Sequence, residues 1–63
     1  MEYAREIRRL LREAGYEFRR PGKGDHEIWR HSETGKTIVL DVGTRNRHLA
    51  IEILKQAGLP KAF

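Results

Sequence analysis

Apolar residues recur at Tyr3, Ile7, Leu10, Leu11 and Ala14, spacings of 4, 3, 1 and 3 that bring them to one face of an α-helix. The pattern predicts a first helix over about residues 2–14, with Gly15 as a following residue free to take a positive φ. The other face carries Arg5, Arg8, Arg9 and Arg12, with Glu2, Glu6 and Glu13 among them. Mixed signs at this spacing read as a solvated, salt-bridged face before they read as a stripe for RNA.

The period then shortens to two. Tyr16-Glu17-Phe18-Arg19 alternates apolar and polar as a half-buried strand does, and Pro21-Gly22 followed by Gly24 ends it in a flexible basic turn. His26 to His31, containing Ile28 and Trp29, forms a second strand, Ser32-Glu33-Thr34-Gly35 a turn, and Lys36 to Val42, rich in β-branched residues, a third strand paired back on it. Ile28 and Trp29 point to opposite faces. Large aromatics usually bury themselves, so Trp29 reads as core, with base stacking or a partner contact as the alternative.

A second helix starts near Thr44 as N-cap and buries Ala50, Ile53, Leu54 and Ala57 before Gly58 and Pro60 stop it. Leu49 and Ile51 fall beside that stripe and offer apolar surface to a partner. The two helix ends, Leu11-Arg-Glu-Ala-Gly-Tyr16 and Leu54-Lys-Gln-Ala-Gly-Leu59, share capping chemistry and are not a duplication. The expected fold is α+β, ordered α-β-β-β-α, with both helices on one face of a three-stranded antiparallel sheet in a single domain spanning residues 1–63.

Length narrows the functional classes. A chain of 63 residues buries only about 60% of its unfolded surface, which leaves a single layer of core side chains and no room for an enclosed cofactor. Rossmann, barrel and two-domain architectures are excluded. There is no cysteine, hence no disulfide and no thiolate metal site, and the expected compartment is a reducing cytoplasm. The longest apolar run, Ile38-Val39-Leu40, is far short of the roughly 20 residues that span a bilayer, so no membrane partner is expected. The net charge of +4 favours a polyanion or an acidic protein surface.

Two motifs invite a chemical reading and fail on spacing. His26-Glu-Ile-Trp-Arg-His31 is one residue too long for the H-E-x-x-H zinc motif, and its histidines fall about 140° apart on a helix or on opposite faces of a strand. No metal site follows. Gly22-Lys23-Gly24 lacks the P-loop spacing and opens a strand where a P-loop opens a helix. It reads as a turn, although a glycine-flanked lysine lets a phosphate approach the backbone beside Asp25 and His26. His48 lies in the first turn of the second helix with Arg45 and Arg47, where backbone N–H groups favour an anion.

The residues Gly22-Lys-Gly-Asp-His-Glu-Ile-Trp29, together with Ile53-Leu-Lys-Gln-Ala-Gly-Leu59, resemble the HicA family, also called YcfA-like, of bacterial toxin-antitoxin systems. The resemblance covers nearly the whole chain. It implies a fold similar to the double-stranded RNA-binding domain, which agrees with the order above. It also implies a messenger-RNA-cleaving ribonuclease held inactive by a HicB-like antitoxin, with the histidine of the G-x-H box, here His26, as the catalytic residue. The family commonly has Ser where this chain has Asp25, and often a proline and a histidine where it reads Asp41-Val42-Gly43.

The chemistry of the residues supports that reading on its own terms. RNA carries its own nucleophile, the 2′-hydroxyl, so a metal-free nuclease needs a proton acceptor or donor near neutral pH, the general acid or base, and cations around the developing phosphorane charge. Imidazole, titrating at about 6.5, suits the first task. Lys23, Arg20 and Arg47 are candidates for the second, with Gly24 and His48 as further phosphate contacts. Two other readings stand beside it: a non-catalytic RNA-binding module that uses the same basic surface, and a domain that only occupies an acidic partner protein.

Overall fold

The helical stripe forms α1 over Tyr3–Glu13 and buries Ala4, Ile7 and Leu11. The structure is a computed structural model and describes residues 3–60, 62 and 63; Glu2, expected to begin the helix, lies outside the described residues. Gly15 follows at φ +96°. A side chain is excluded there twice over, by the left-handed backbone and by the His31 ring, whose Nε2 would lie 2.9 Å from an added Cβ.

Three strands follow: β1 over Tyr16–Pro21, β2 over His26–His31 and β3 over Thr37–Asp41. They form one antiparallel sheet in chain order, so β1 and β3 are its outer strands. β1 runs two residues past its alternating segment because a register shift between Phe18 and Arg20 leaves Arg19 unpaired, after which Arg20 faces Ile28 and Pro21 faces Glu27. The Ser32–Gly35 turn closes β2 onto β3 through His31 N–H donating to the Lys36 carbonyl at 2.8 Å.

The second helix, α2, spans Arg47–Gln56 and is capped by Asn46, whose side chain accepts from the N–H groups of His48 and Leu49. The expected cap, Thr44, does different work. Its hydroxyl donates to the Asp41 carbonyl at 2.6 Å, and the residue is only 5% exposed. With that oxygen committed to the end of β3, the helix starts at the next capping residue. At its other end the N–H of Leu59 reaches the Leu54 carbonyl and the N–H of Gly58 the Lys55 carbonyl, the double closure of a Schellman motif.

Alternation along the strands decides the layers. Trp29 pairs with Ile38, and Glu27 with Leu40, on the face that meets Ile7 and Leu11 of α1 and Ala50, Ile53 and Leu54 of α2. Ile28, paired with Val39, lies on the opposite face. Both helices therefore cover one face of the sheet, and Cα extents of 29 × 27 × 15 Å leave room for one layer of side chains between them. Trp29 is core, as expected. Phe18, on the same face but on an outer strand, meets Trp29 edge-on at 5.9 Å and stays 48% exposed.

A polar clamp ties α1 to β2. The Arg8 guanidinium grips the Glu27 carboxylate at 3.0 and 2.8 Å, the Trp29 indole N–H donates to the same carboxylate at 3.0 Å, and Arg12 lies over the Trp29 ring. The exposed face of α1 is salt-bridged, as its pattern suggests: Arg9 pairs with both Glu6 and Glu13. The Arg8 hydrogen bonds, assisted by the Trp29 N–H and opposed by burial, hold the Glu27 carboxyl below its ordinary value of 4.5.

A folded-state pKa below the unfolded one means stability that is present above the unfolded value and lost as pH falls through the folded value. Urea unfolding followed from neutral pH down through the carboxylate range should therefore show the parent losing more stability than Glu27→Gln. Equal losses in the two proteins would mean that the clamp does not hold the charge.

Candidate active site

The turn between β1 and β2 is closed by the Gly22 N–H, which donates to the His26 carbonyl at 2.7 Å. Inside it Gly24 sits at φ +65° with nothing within 4 Å of an added Cβ, so the turn is open to solvent at that point. His26 opens β2 and is exposed. Its Nδ1 lies 2.6 Å from the Lys23 carbonyl. A carbonyl only accepts, so Nδ1 carries the hydrogen, and in the neutral ring Nε2 is left as a free base.

Register sets what His26 faces. It pairs with Asp41 across the β2–β3 ladder, and with Val39 these residues, all on the sheet face that the helices leave uncovered, line one side of a cleft of about 280 Å³ that passes around the edge of β3. The other side is α2, which contributes Leu49, Glu52, Ile53 and Gln56. Asp41 accepts from the Gly43 N–H at 3.0 Å through Oδ1. Among the described residues the side chains of Glu52 and Gln56 have no hydrogen-bond partner. The cleft thus combines an imidazole base, two carboxylates, an amide and three apolar side chains, two of which, Val39 at 48% and Leu49 at 54%, are open to solvent.

The other expected site residues divide into two groups. Arg20 is paired with Ile28 and so shares the face of the sheet that carries His26, and Lys23 projects from the turn whose carbonyl holds the imidazole. Arg47 is elsewhere. Its guanidinium donates to the Phe63 carbonyl at 2.9 Å, in a hollow shared with Tyr3 and Ala62. At the start of α2 the N–H groups of His48 and Leu49 donate to Asn46 Oδ1 at 2.8 and 3.4 Å, so a phosphate there would have to displace the cap. His31 bridges α1 and the hairpin: its Nε2–H donates to the Ala14 carbonyl at 2.9 Å, and Nδ1 accepts from Glu33 and Thr34.

Sequence reasoning passed over Asp41, Glu52 and Gln56. The register of β2 against β3 could have found Asp41, since the two strand boundaries place it opposite His26. No spacing in the sequence relates either residue to α2. No three of His, Cys, Asp or Glu among the described residues are grouped as a metal ion would need. No helix among them is long and apolar enough to cross a membrane.

Compared with known proteins, residues 4–59 match the family described as the HicA toxin of bacterial toxin-antitoxin systems. No curated protein matches the chain, and no solved structure does.

Proposed function

The chain belongs to the HicA toxin family of bacterial toxin-antitoxin systems, and from that premise we propose that it is a metal-independent ribonuclease that cleaves messenger RNA in the cytoplasm, with His26 as its general base. The observation that carries this reading is the imidazole itself, fixed through Nδ1 on the Lys23 carbonyl with Nε2 free beside an open cleft. Nε2 takes the proton of a ribose 2′-hydroxyl. The 2′-oxygen bonds to the adjacent phosphorus, the bond from phosphorus to the 5′-oxygen breaks, and the leaving oxygen takes a proton from water.

Lys23 and Arg20 supply positive charge for the phosphorane oxygens, which gain charge as the 2′-oxygen attacks. Arg47, whose guanidinium donates to the Phe63 carbonyl away from the cleft, is assigned no part in this step. A HicB-like antitoxin is the partner that holds the enzyme inactive.

The test is incubation of a purified transcript with the protein in EDTA. Cleavage is expected. If the transcript stays intact at concentrations where a gel shift shows it bound, the nuclease reading fails and the non-catalytic RNA-binding module takes its place; such binding would weaken log-linearly with salt.

A further inference from the structure

The cleft beside His26 is chemically ill-suited to a phosphate. Asp41 and Glu52 line it with two carboxyl groups, whose oxygens meet a phosphate with acceptors where it needs donors. Its remaining lining joins the His26 imidazole, Thr44 and the Gln56 amide to three apolar side chains, Val39, Leu49 and Ile53. Such a site takes an uncharged, flat and largely apolar group with hydrogen-bonding edges. In RNA that group is an unpaired base, which proteins read by splaying it out and bonding its Watson–Crick edge. At about 280 Å³ the cleft is at or below the small end of ligand pockets, the size for one base and not for a run of them.

Glu52 and Gln56 stand four residues apart on α2, so their side chains are neighbours one turn apart. Together they present a carboxylate with two acceptor oxygens next to an amide that can donate. Of the four RNA bases only guanine has two adjacent donors, N1–H and the 2-amino group, followed by an acceptor, O6. Adenine and cytosine place an acceptor next to their single amino donor, and uracil flanks its one N–H with acceptors.

We propose that this cleft is a guanine pocket: Glu52 accepts from N1–H and the 2-amino group, Gln56 donates to O6, and Leu49 and Val39 cover the ring faces. This rests on the ribonuclease reading in one respect, that the ribose of the seated base lies at the His26 end of the cleft. Glu52 and Gln56 then determine specificity and His26 performs the chemistry.

Two measurements separate the inference from that reading. The first maps cleavage in EDTA of an unstructured RNA containing all four bases, for the parent and for Glu52→Gln. The parent should cut beside guanosine at least tenfold faster than elsewhere, and the variant should lose that preference while still cutting. Cleavage without guanosine preference, or a preference unchanged in Glu52→Gln, overturns the pocket and leaves the ribonuclease standing.

The second needs no activity. Guanosine 3′-monophosphate and adenosine 3′-monophosphate are titrated against the protein while the methyl resonances of Leu49 and Ile53 are followed by NMR. Shifts at lower concentration with the guanosine nucleotide, abolished in Glu52→Gln, uphold the pocket even if no RNA is cut. Equal responses to the two nucleotides overturn it.

Discussion

Replacing His26 by glutamine is expected to slow cleavage in EDTA by about 10²- to 10⁴-fold, the usual contribution of a positioned general base. Glutamine is the informative substitution because an amide takes up no proton near neutral pH, while the backbone bond from the Gly22 N–H to the carbonyl of residue 26, which closes the turn, is left in place. Because His26 is exposed, the change should alter stability by no more than about 0.5 kcal/mol, so circular dichroism and the urea midpoint should match the parent. A variant that cuts as fast as the parent would remove His26 from the chemistry. A variant that loses cleavage together with its fold would be replaced by His26→Asn, which tests the same proton transfer with a shorter side chain.

The second large effect is on the fold. Trp29→Ala is expected to leave the protein mostly unfolded in dilute buffer. The side chain is 1% exposed, lies beneath the Arg12 guanidinium, meets Phe18 edge-on and donates to Glu27. Truncating a buried tryptophan costs about 3–5 kcal/mol. A core in a chain of this length supplies on the order of 3–5 kcal/mol in all, so little remains. Far-UV circular dichroism and a urea titration would show loss of the cooperative transition, whereas Trp29→Phe, which keeps a ring in the layer, should retain one at lower urea. An alanine variant within about 1 kcal/mol of the parent would mean that the layer closes without the indole.

These two residues also mark how far the sequence could be read. Trp29 and the stripes of both helices were legible because burial imposes a period, and the period survives in the order of residues whatever the tertiary detail. The start of α2 was not. Thr44 and Asn46 are both good caps, and the choice falls to Asn46 only because the Thr44 hydroxyl is engaged by the Asp41 carbonyl, a contact no local pattern encodes. The clamp was hidden for a similar reason: Arg8 looks like one more surface arginine until Glu27 is found on the helix-covered face of β2.

For the site, the turn chemistry around Lys23, Gly24 and His26 is local and could be read directly. The cleft is not local. His26, Asp41 and Glu52 come from three separate elements, joined by strand register and by the docking of α2. Arg47 and His48 illustrate the converse. A helix start rich in cations reads as an anion site, yet the structure commits its amide donors to Asn46 and its arginine to the end of the chain.

The irregularity in β1 bears on how the protein behaves in a crowded solution. An outer strand with an unbroken row of N–H and C=O groups is a template on which strands of other molecules can add, the first step toward aggregation. Here that row is interrupted in three ways within six residues: Arg19 is out of register, Pro21 has no N–H to offer, and Glu17, Arg19 and Arg20 put charge along the edge. A strand arriving at β1 finds neither a continuous ladder nor a neutral surface, along an edge whose residues 17–21 are all exposed.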